Sequence, residues 1–147
     1  MNTRKNNMHK EDLNKLLPIP VTHVVFGAGS LFTLEHSQTS KVLKTWVYLC
    51  NWLIVSSGVT VADSDSDLSD HVKERIAISF IGKEIVDILF YDDIDKIEIL
   101  FSGDFRLILT PDLNEYEPED DMLIIFLSDK FCYSYSPIKK LYYEISC

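Results

Sequence analysis

The second half of the chain contains a series of short segments that are rich in β-branched and aromatic residues and are separated by turn residues. This pattern restricts the fold more than any other feature. The segments EIVDILFY, DKIEILFS and FRLILT follow one another between residues 84 and 110. Asp-Asp-Ile and Gly-Asp turns separate them, which is typical of strands connected by tight hairpins. The sequence therefore predicts an antiparallel meander here.

Further strands are predicted on both sides of this meander. VTHVVFGAGSLFTLEH, residues 21–36, is interpreted as two strands joined at Gly27-Ala28-Gly29. MLIIFLSDKFCYSYS, residues 122–136, predicts another hairpin, and LYYEIS, residues 141–146, predicts a last strand. VLKTWVYLCNWLIVSS, residues 42–57, is apolar on both faces, which favours one central strand covered on both sides; a buried helix is the alternative.

Two short helices complete the predicted fold. HKEDLNKLL, residues 9–17, forms one helix that Pro18 and Pro20 end, within a helical N-terminal extension over residues 1–17. LSDHVKERIAISFIG, residues 68–82, predicts a second helix, with Ser69 as its N-cap. A chain of 147 residues suits a single domain. We therefore expect a single α+β domain, with a mostly antiparallel sheet or half-barrel and one or two short helices.

The distribution of apolar residues favours a cytoplasmic protein that does not enter a membrane. The longest apolar run, residues 47–55, is interrupted by Asn51 and has about half of the ~20 residues that a membrane-spanning helix needs. The first fifteen residues are polar and do not resemble a signal peptide. The three cysteines, Cys50, Cys132 and Cys147, show no paired spacing, so free thiols are expected.

The charge is distributed unevenly along the chain. Residues 1–60 carry six basic and three acidic side chains, which leaves eight basic and twenty acidic ones among residues 61–147. The second part therefore has a net charge of −12. Such an excess repels phosphates and argues against nucleic acid as a partner. The negative charge favours a basic partner protein. The alternative interpretation, that the charge only keeps the protein soluble, is about equally well supported.

The stretch DSDSDLSDHVKE, residues 63–74, has much of the ligand spacing of a calcium loop. Asp63, Asp65, Asp67 and Glu74 fit positions 1, 3, 5 and 12 of an EF-hand. Position 6, which needs glycine for a sharp turn, is Leu68, and the preceding segment is predicted to be a strand. The pattern therefore favours a solvated acidic loop that ends in a helix cap.

Motifs that carry catalytic chemistry are weak or missing in this sequence. VVFGAGSLF contains the first two glycines of a dinucleotide-binding turn, but Phe32 stands at the third glycine position. The four histidines have no metal-ligand spacing, and no GxSxG, HExxH or P-loop occurs. We therefore predict a protein that is not an enzyme and uses neither a cofactor nor a metal. An enzyme with a carboxylate-bound metal is the less favoured alternative.

A second acidic stretch, PDLNEYEPEDD, connects two predicted strands at residues 111–121. Six carboxylates surround Tyr116 within it. An aromatic side chain among carboxylates suits contact with a basic protein surface. The alternative interpretation is a solvated hairpin loop.

The segments IGKEIVDILF and KIEILFSGDFRLILTPDLNEYE resemble a pattern in small bacterial immunity proteins of polymorphic toxin and contact-dependent growth inhibition systems. The likeness covers about 40 residues and rests on six of them: Gly82, Gly103, Leu107, Pro111, Tyr116 and Glu117. Proteins of that family bind a cognate toxin domain, commonly a basic nuclease, and block its active site or its substrate surface. The resemblance therefore implies a cognate toxin domain as the partner.

The acidic loops and the resemblance lead to one functional hypothesis. The chain is expected to be an immunity protein that neutralises a cognate toxin domain through its acidic loops. An acidic adaptor, or a nucleic-acid mimic that inhibits another protein, is the alternative. The residues predicted to bind the toxin are Asp63, Asp65, Asp67, Asp70, Glu115, Tyr116, Glu117, Glu119, Asp120 and Asp121.

Overall fold

The computed structural model of the protein describes residues 2–27, 31–127 and 130–145, with side chains from residue 8 onward. The elements in the first part of the chain are α1 (Asn2–Asn14), β1 (Ile19–Pro20), β2 (His23–Phe26), β3 (Phe32–Glu35), β4 (Lys44–Val47), β5 (Cys50–Ser56) and β6 (Val59–Asp63). Those in the second part are α2 (Asp70–Phe80), β7 (Glu84–Tyr91), β8 (Lys96–Phe101), β9 (Phe105–Pro111), β10 (Leu123–Phe126), β11 (Phe131–Ser136) and β12 (Lys140–Ile145).

The strands form two six-stranded antiparallel sheets, which are open rather than closed. The strand order is β1-β7-β8-β9-β5-β6 in the first sheet and β12-β11-β10-β4-β3-β2 in the second. The predicted meander is present as β7, β8 and β9, and the predicted hairpin as β10 and β11. The α+β prediction is therefore confirmed.

The prediction of a single central strand over residues 42–57 is wrong, and so is the helical alternative. β4 belongs to the second sheet and β5 to the first, so the chain crosses between the sheets at Tyr48 and Leu49. Tyr48 and Leu49 belong to neither strand, so the segment is not one continuous strand. The crossing leaves no backbone donor unpaired, because the N–H groups of Tyr48 and Leu49 donate to the carbonyls of Met122 and Asp121.

The two sheets and both helices share one hydrophobic core. Trp52 and Tyr135, from opposite sheets, belong to this core and are fully buried. Phe80, near the end of α2, lies with its ring centroid 5.0 Å from that of Phe105 in a T-shaped contact. α1 begins earlier than predicted and packs against β12, and its Leu13 is fully buried. The N-terminal helix is therefore part of the domain core.

The second helix begins where the sequence predicts. Ser69 has an extended backbone, and its hydroxyl oxygen accepts a hydrogen bond from the N–H of Val72. An N-cap of this kind pairs one of the free donors at a helix start, so the acidic stretch before it leads directly into α2.

The prediction of free thiols is only partly right. Cys50 is free and buried, and its burial raises the pKa of the thiol. Cys132 is disulfide-bonded, which corrects the prediction at that position. Across the part of the chain that the structure describes, no helix combines the length and the apolar character that crossing a membrane requires.

Candidate functional site

The two acidic stretches leave the first sheet at the same end. We call residues 63–70 the first acidic loop and residues 112–121 the second acidic loop. The first follows β6 and the second follows β9, and β5 is the one strand between them. Since β6 and β9 both run antiparallel to β5, their last residues lie at the same end of the first sheet. Neighbouring strands are about 4.8 Å apart and successive residues about 3.4 Å. Because Asp63 pairs with Leu53 and Pro111 pairs with Cys50, three residues along β5, the loops start roughly 14 Å from each other.

Asn51 connects the bases of the two acidic loops. Its side-chain oxygen accepts a hydrogen bond of 3.3 Å from the hydroxyl of Ser64, and its side-chain nitrogen donates to the carbonyl of Pro111 at 3.4 Å. The Ser64 hydroxyl also accepts from the N–H of Trp52. The polar residue that interrupts the apolar run therefore holds both loops at their starting points.

The first acidic loop is organised by its own side chains. The Asp63 carboxylate accepts hydrogen bonds from the N–H of Asp65 at 2.9 Å and from the hydroxyl of Ser66 at 3.3 Å. Asp65 and Asp67 are exposed, as is Asp70 in the first turn of α2. A strand precedes the loop, and no group of three or more His, Cys, Asp or Glu side chains among the described residues is placed to hold a metal ion.

The second acidic loop folds around Tyr116, whose side chain points inward and is 8% exposed. Its hydroxyl donates to the carbonyl of Leu49 at 2.6 Å and accepts from the N–H of Asp112 at 3.0 Å. Burial raises the pKa of the Tyr116 hydroxyl to about 12. Tyr116 therefore shapes the loop from within and does not offer its ring to a partner.

The loops expose carboxylates in both stretches. The exposed predicted site residues are Asp65, Asp67, Asp70, Glu115, Glu117 and Glu119. Within the described ranges, none of these six takes part in an ion pair. Asp120 is half-buried and accepts a hydrogen bond from the N–H of Glu117, so its role lies within the loop.

A third acidic segment, which the sequence reading missed as part of the site, lies at the same end of the first sheet. β7 runs in the same direction as β9, so the β7–β8 turn at residues 92–95 faces the same side as the acidic loops. Asp95 accepts hydrogen bonds from Tyr135 and Lys140 of the second sheet, whereas Asp93 is exposed. Only the sheet order could have revealed this neighbour.

The outer face of the second sheet carries a groove of about 600 Å³. Its apolar lining includes Trp46 of β4, Ile124 and Phe126 of β10, and Tyr142 of β12. Alternation along β10 turns Leu123 and Ile125 into the core and leaves the residues between them facing outward. We call this feature the aromatic groove.

The second acidic loop ends in the aromatic groove. Asp121 lines the groove, is 8% exposed, and accepts a hydrogen bond of 2.7 Å from the hydroxyl of Tyr142. Burial raises the pKa of the Asp121 carboxyl to about 6. The sequence predicted Asp121 as a toxin-binding residue of the acidic loop and did not reveal the groove. The outward aromatic positions of β4 and β10 were the available signal, but it required the correct strand boundaries.

Lysine side chains lie over the rings of the groove. The Lys44 nitrogen is 5.1 Å from the ring centroid of Trp46 and 4.9 Å from that of Phe126. The Lys139 nitrogen is 4.7 Å from the ring centroid of Tyr142. These distances are within the range of cation–π attraction, so the ring faces of the groove already hold positive charge.

The structure thus brings the predicted residues of both acidic loops to one end of the molecule, but these residues differ in how far they are exposed to solvent. Six face solvent, while Tyr116 and Asp121 are buried and Asp63 and Asp120 serve their own loops. No protein-family model, curated protein or solved structure matches this chain.

Proposed function

We propose that this chain is an immunity protein that binds a basic toxin domain in the cytoplasm and neutralises it through the two acidic loops. The observation that carries the proposal is their common position. Six exposed carboxylates with no ion-pair partner among the described residues lie in the loops that follow β6 and β9 at one end of the first sheet. The sequence resemblance to immunity proteins points to the same class of partner.

The spacing of the loops suits capture of one basic surface. Their starting points are roughly 14 Å apart, which is less than two Debye lengths of about 8 Å at physiological ionic strength. Both loops therefore contribute to the potential that one approaching protein experiences. Attraction of this kind raises association rates from about 10⁵–10⁶ to as much as 10⁸–10⁹ M⁻¹s⁻¹ at low salt. Fast capture is what protection against a toxin requires.

The loops are also held in place before binding. Asn51 fixes both bases and Tyr116 fixes the interior of the second acidic loop. A preorganised surface loses less conformational entropy when it binds than a mobile one. The carboxylates would occupy the positions of substrate phosphates against the Lys and Arg side chains of a nuclease.

The proposal is tested with the product of the neighbouring gene. Expressed alone, that product should arrest growth, and co-expression of this chain should restore growth and yield a complex that purifies intact. The variant carrying Asp67→Lys and Glu117→Lys should fail to restore growth, whereas Glu84→Lys should behave like the wild type. Glu84 is an exposed residue at the start of β7, at the opposite end of the first sheet.

Two results would contradict the proposal. One is a neighbouring product that is harmless and does not bind this chain. The other is full protection by the variant with both loop charges reversed. A harmless neighbour that binds DNA and loses that activity in the presence of this chain would instead assign the nucleic-acid-mimic function.

A further inference from the structure

Asp121 is a mostly buried carboxylate that Lys139 attracts only at longer range, without a direct ion pair among the described residues. No Lys or Arg nitrogen in the described part of the chain lies within 4.0 Å of its oxygens. The hydrogen bond from Tyr142 reaches one of its two oxygens, Oδ1. A desolvated carboxylate with no cation in direct contact is costly, and an incoming cation that pairs with it relieves that cost. Asp121 therefore marks the point in the aromatic groove where a cationic group binds most favourably.

The rings beside Asp121 accept cations. Lys44, which is half-buried, lies over two of them, and Lys139, which is exposed, lies over a third. A planar guanidinium stacks on aromatic faces, is more weakly hydrated than an ammonium group, and binds a carboxylate through two parallel hydrogen bonds. An arginine side chain therefore fits the combination of Asp121 and aromatic rings better than the lysines already present.

The aromatic groove is continuous with the surface proposed to bind the toxin. Glu119 and Asp121 line it and belong to the second acidic loop, whose earlier residues Glu115 and Glu117 face solvent. Three carboxylates and two lysines line the groove, so its local balance favours a cation. A partner protein that contacts the second acidic loop therefore places its side chains next to the opening of the aromatic groove.

We propose that the aromatic groove binds an arginine side chain of the partner protein, with the guanidinium paired to Asp121 and its plane against the aromatic rings. This inference rests on the proposed function for the identity of the partner. The groove supplies a desolvated anchor point, whereas the exposed carboxylates supply long-range attraction. Buried anchors of this kind slow dissociation, whereas rim charges act mainly on association.

The groove can be tested without the partner. The wild-type protein is titrated with acetyl-Gly-Arg-Gly-amide and with the same peptide carrying citrulline, the neutral analogue of arginine, while NMR follows the indole N–H signals. The chain has two tryptophans, Trp46 in the groove and Trp52 in the core, so Trp52 is an internal control. We expect a saturable shift at Trp46 with the arginine peptide, a far smaller one with citrulline, and none at Trp52.

A variant confirms which carboxylate is responsible. Asp121→Asn should weaken binding of the arginine peptide about tenfold or more, since it removes a charged hydrogen-bond partner. Glu84→Lys should leave the peptide affinity unchanged. Equal responses to arginine and citrulline, no saturable shift at Trp46, or unchanged affinity in Asp121→Asn would each overturn the inference.

The two proposals fail in different ways. If the loop variants lose the toxin while Asp121→Asn keeps the wild-type dissociation rate, the immunity function stands and the groove inference is wrong. If the arginine peptide binds through Asp121 but the neighbouring gene product does not bind the protein, the groove is a guanidinium site and the proposed function is wrong.

Discussion

Replacing Tyr116 with phenylalanine tests how the second acidic loop is held in place. The substitution removes only the hydroxyl, which donates to the carbonyl of Leu49 and accepts from the N–H of Asp112. The ring remains, so the apolar packing and the net charge stay the same. Any effect therefore reports on two hydrogen bonds: the one to Leu49 connects the loop to the crossing between the sheets, and the one from Asp112 lies within the loop.

The expected cost follows from what the substitution leaves behind. The side chain is 8% exposed, so water does not readily replace the hydroxyl, and the Leu49 carbonyl and the Asp112 N–H lose a partner. A buried polar group left without its hydrogen bond costs about 1–3 kcal/mol. We expect Tyr116→Phe to lower the free energy of unfolding by about 2 kcal/mol, a value reduced by whatever water the loop admits.

Urea denaturation followed by circular dichroism measures this change. Tyr143→Phe is the matched control, because Tyr143 is 39% exposed and a surface substitution of this kind stays within about ±0.5 kcal/mol. If Tyr116→Phe is no more destabilising than Tyr143→Phe, the hydroxyl does not anchor the loop and the description of a preorganised surface is wrong.

Three further predictions concern the same region. Ser69→Ala should lower the free energy of unfolding by about 1 kcal/mol in urea denaturation, because it removes the N-cap of α2. The pKa of Asp121 is raised to about 6 from 3.8, so the folded state binds its proton more tightly and this stabilisation is lost as the pH rises through 6; the stability of the wild type relative to Asp121→Asn should fall by about 2 kcal/mol between pH 4 and pH 7. Millimolar calcium should leave the melting temperature unchanged in both the wild type and Asp65→Ala, since β6 precedes the first acidic loop and Leu68 occupies the turn position.

The local pattern of the sequence was sufficient for the meander and for α2. β7, β8 and β9 form in the predicted segments, and so do the two strands of the hairpin, β10 and β11. Ser69 caps α2 as predicted, because capping depends on residues only three positions apart. These features depend on residues that are close together in the sequence, so a short stretch of sequence is enough to predict each of them.

The crossing at Tyr48 and Leu49 could not be predicted from short stretches of sequence. It contains neither glycine nor proline, and its backbone donors pair with a segment more than seventy residues away. The same long-range pairing decides which face of β4 is buried. The aromatic groove and the buried position of Asp121 both depend on that choice, so they became visible only with the sheet order.

Tyr116 shows how an acidic loop with an aromatic residue can be misread. Composition alone placed the ring among solvated carboxylates, where it resembled an exposed contact residue. The structure pairs its hydroxyl with Leu49, which lies far away in the sequence but adjacent in the fold. The shared end of the acidic loops likewise follows from strand order, since β5 lies between β6 and β9 although it precedes both in the chain.

The most direct test of the central claim is the association rate with the toxin domain, measured by stopped-flow fluorescence at low and high salt. For the wild type and Glu84→Lys, the rate should fall at least about tenfold between 50 and 500 mM salt, as expected for electrostatic steering. The Asp67→Lys, Glu117→Lys variant should associate about tenfold more slowly at low salt and depend much less on salt. An unchanged rate and an unchanged salt dependence in that variant would contradict the claim that the two acidic loops form one binding surface.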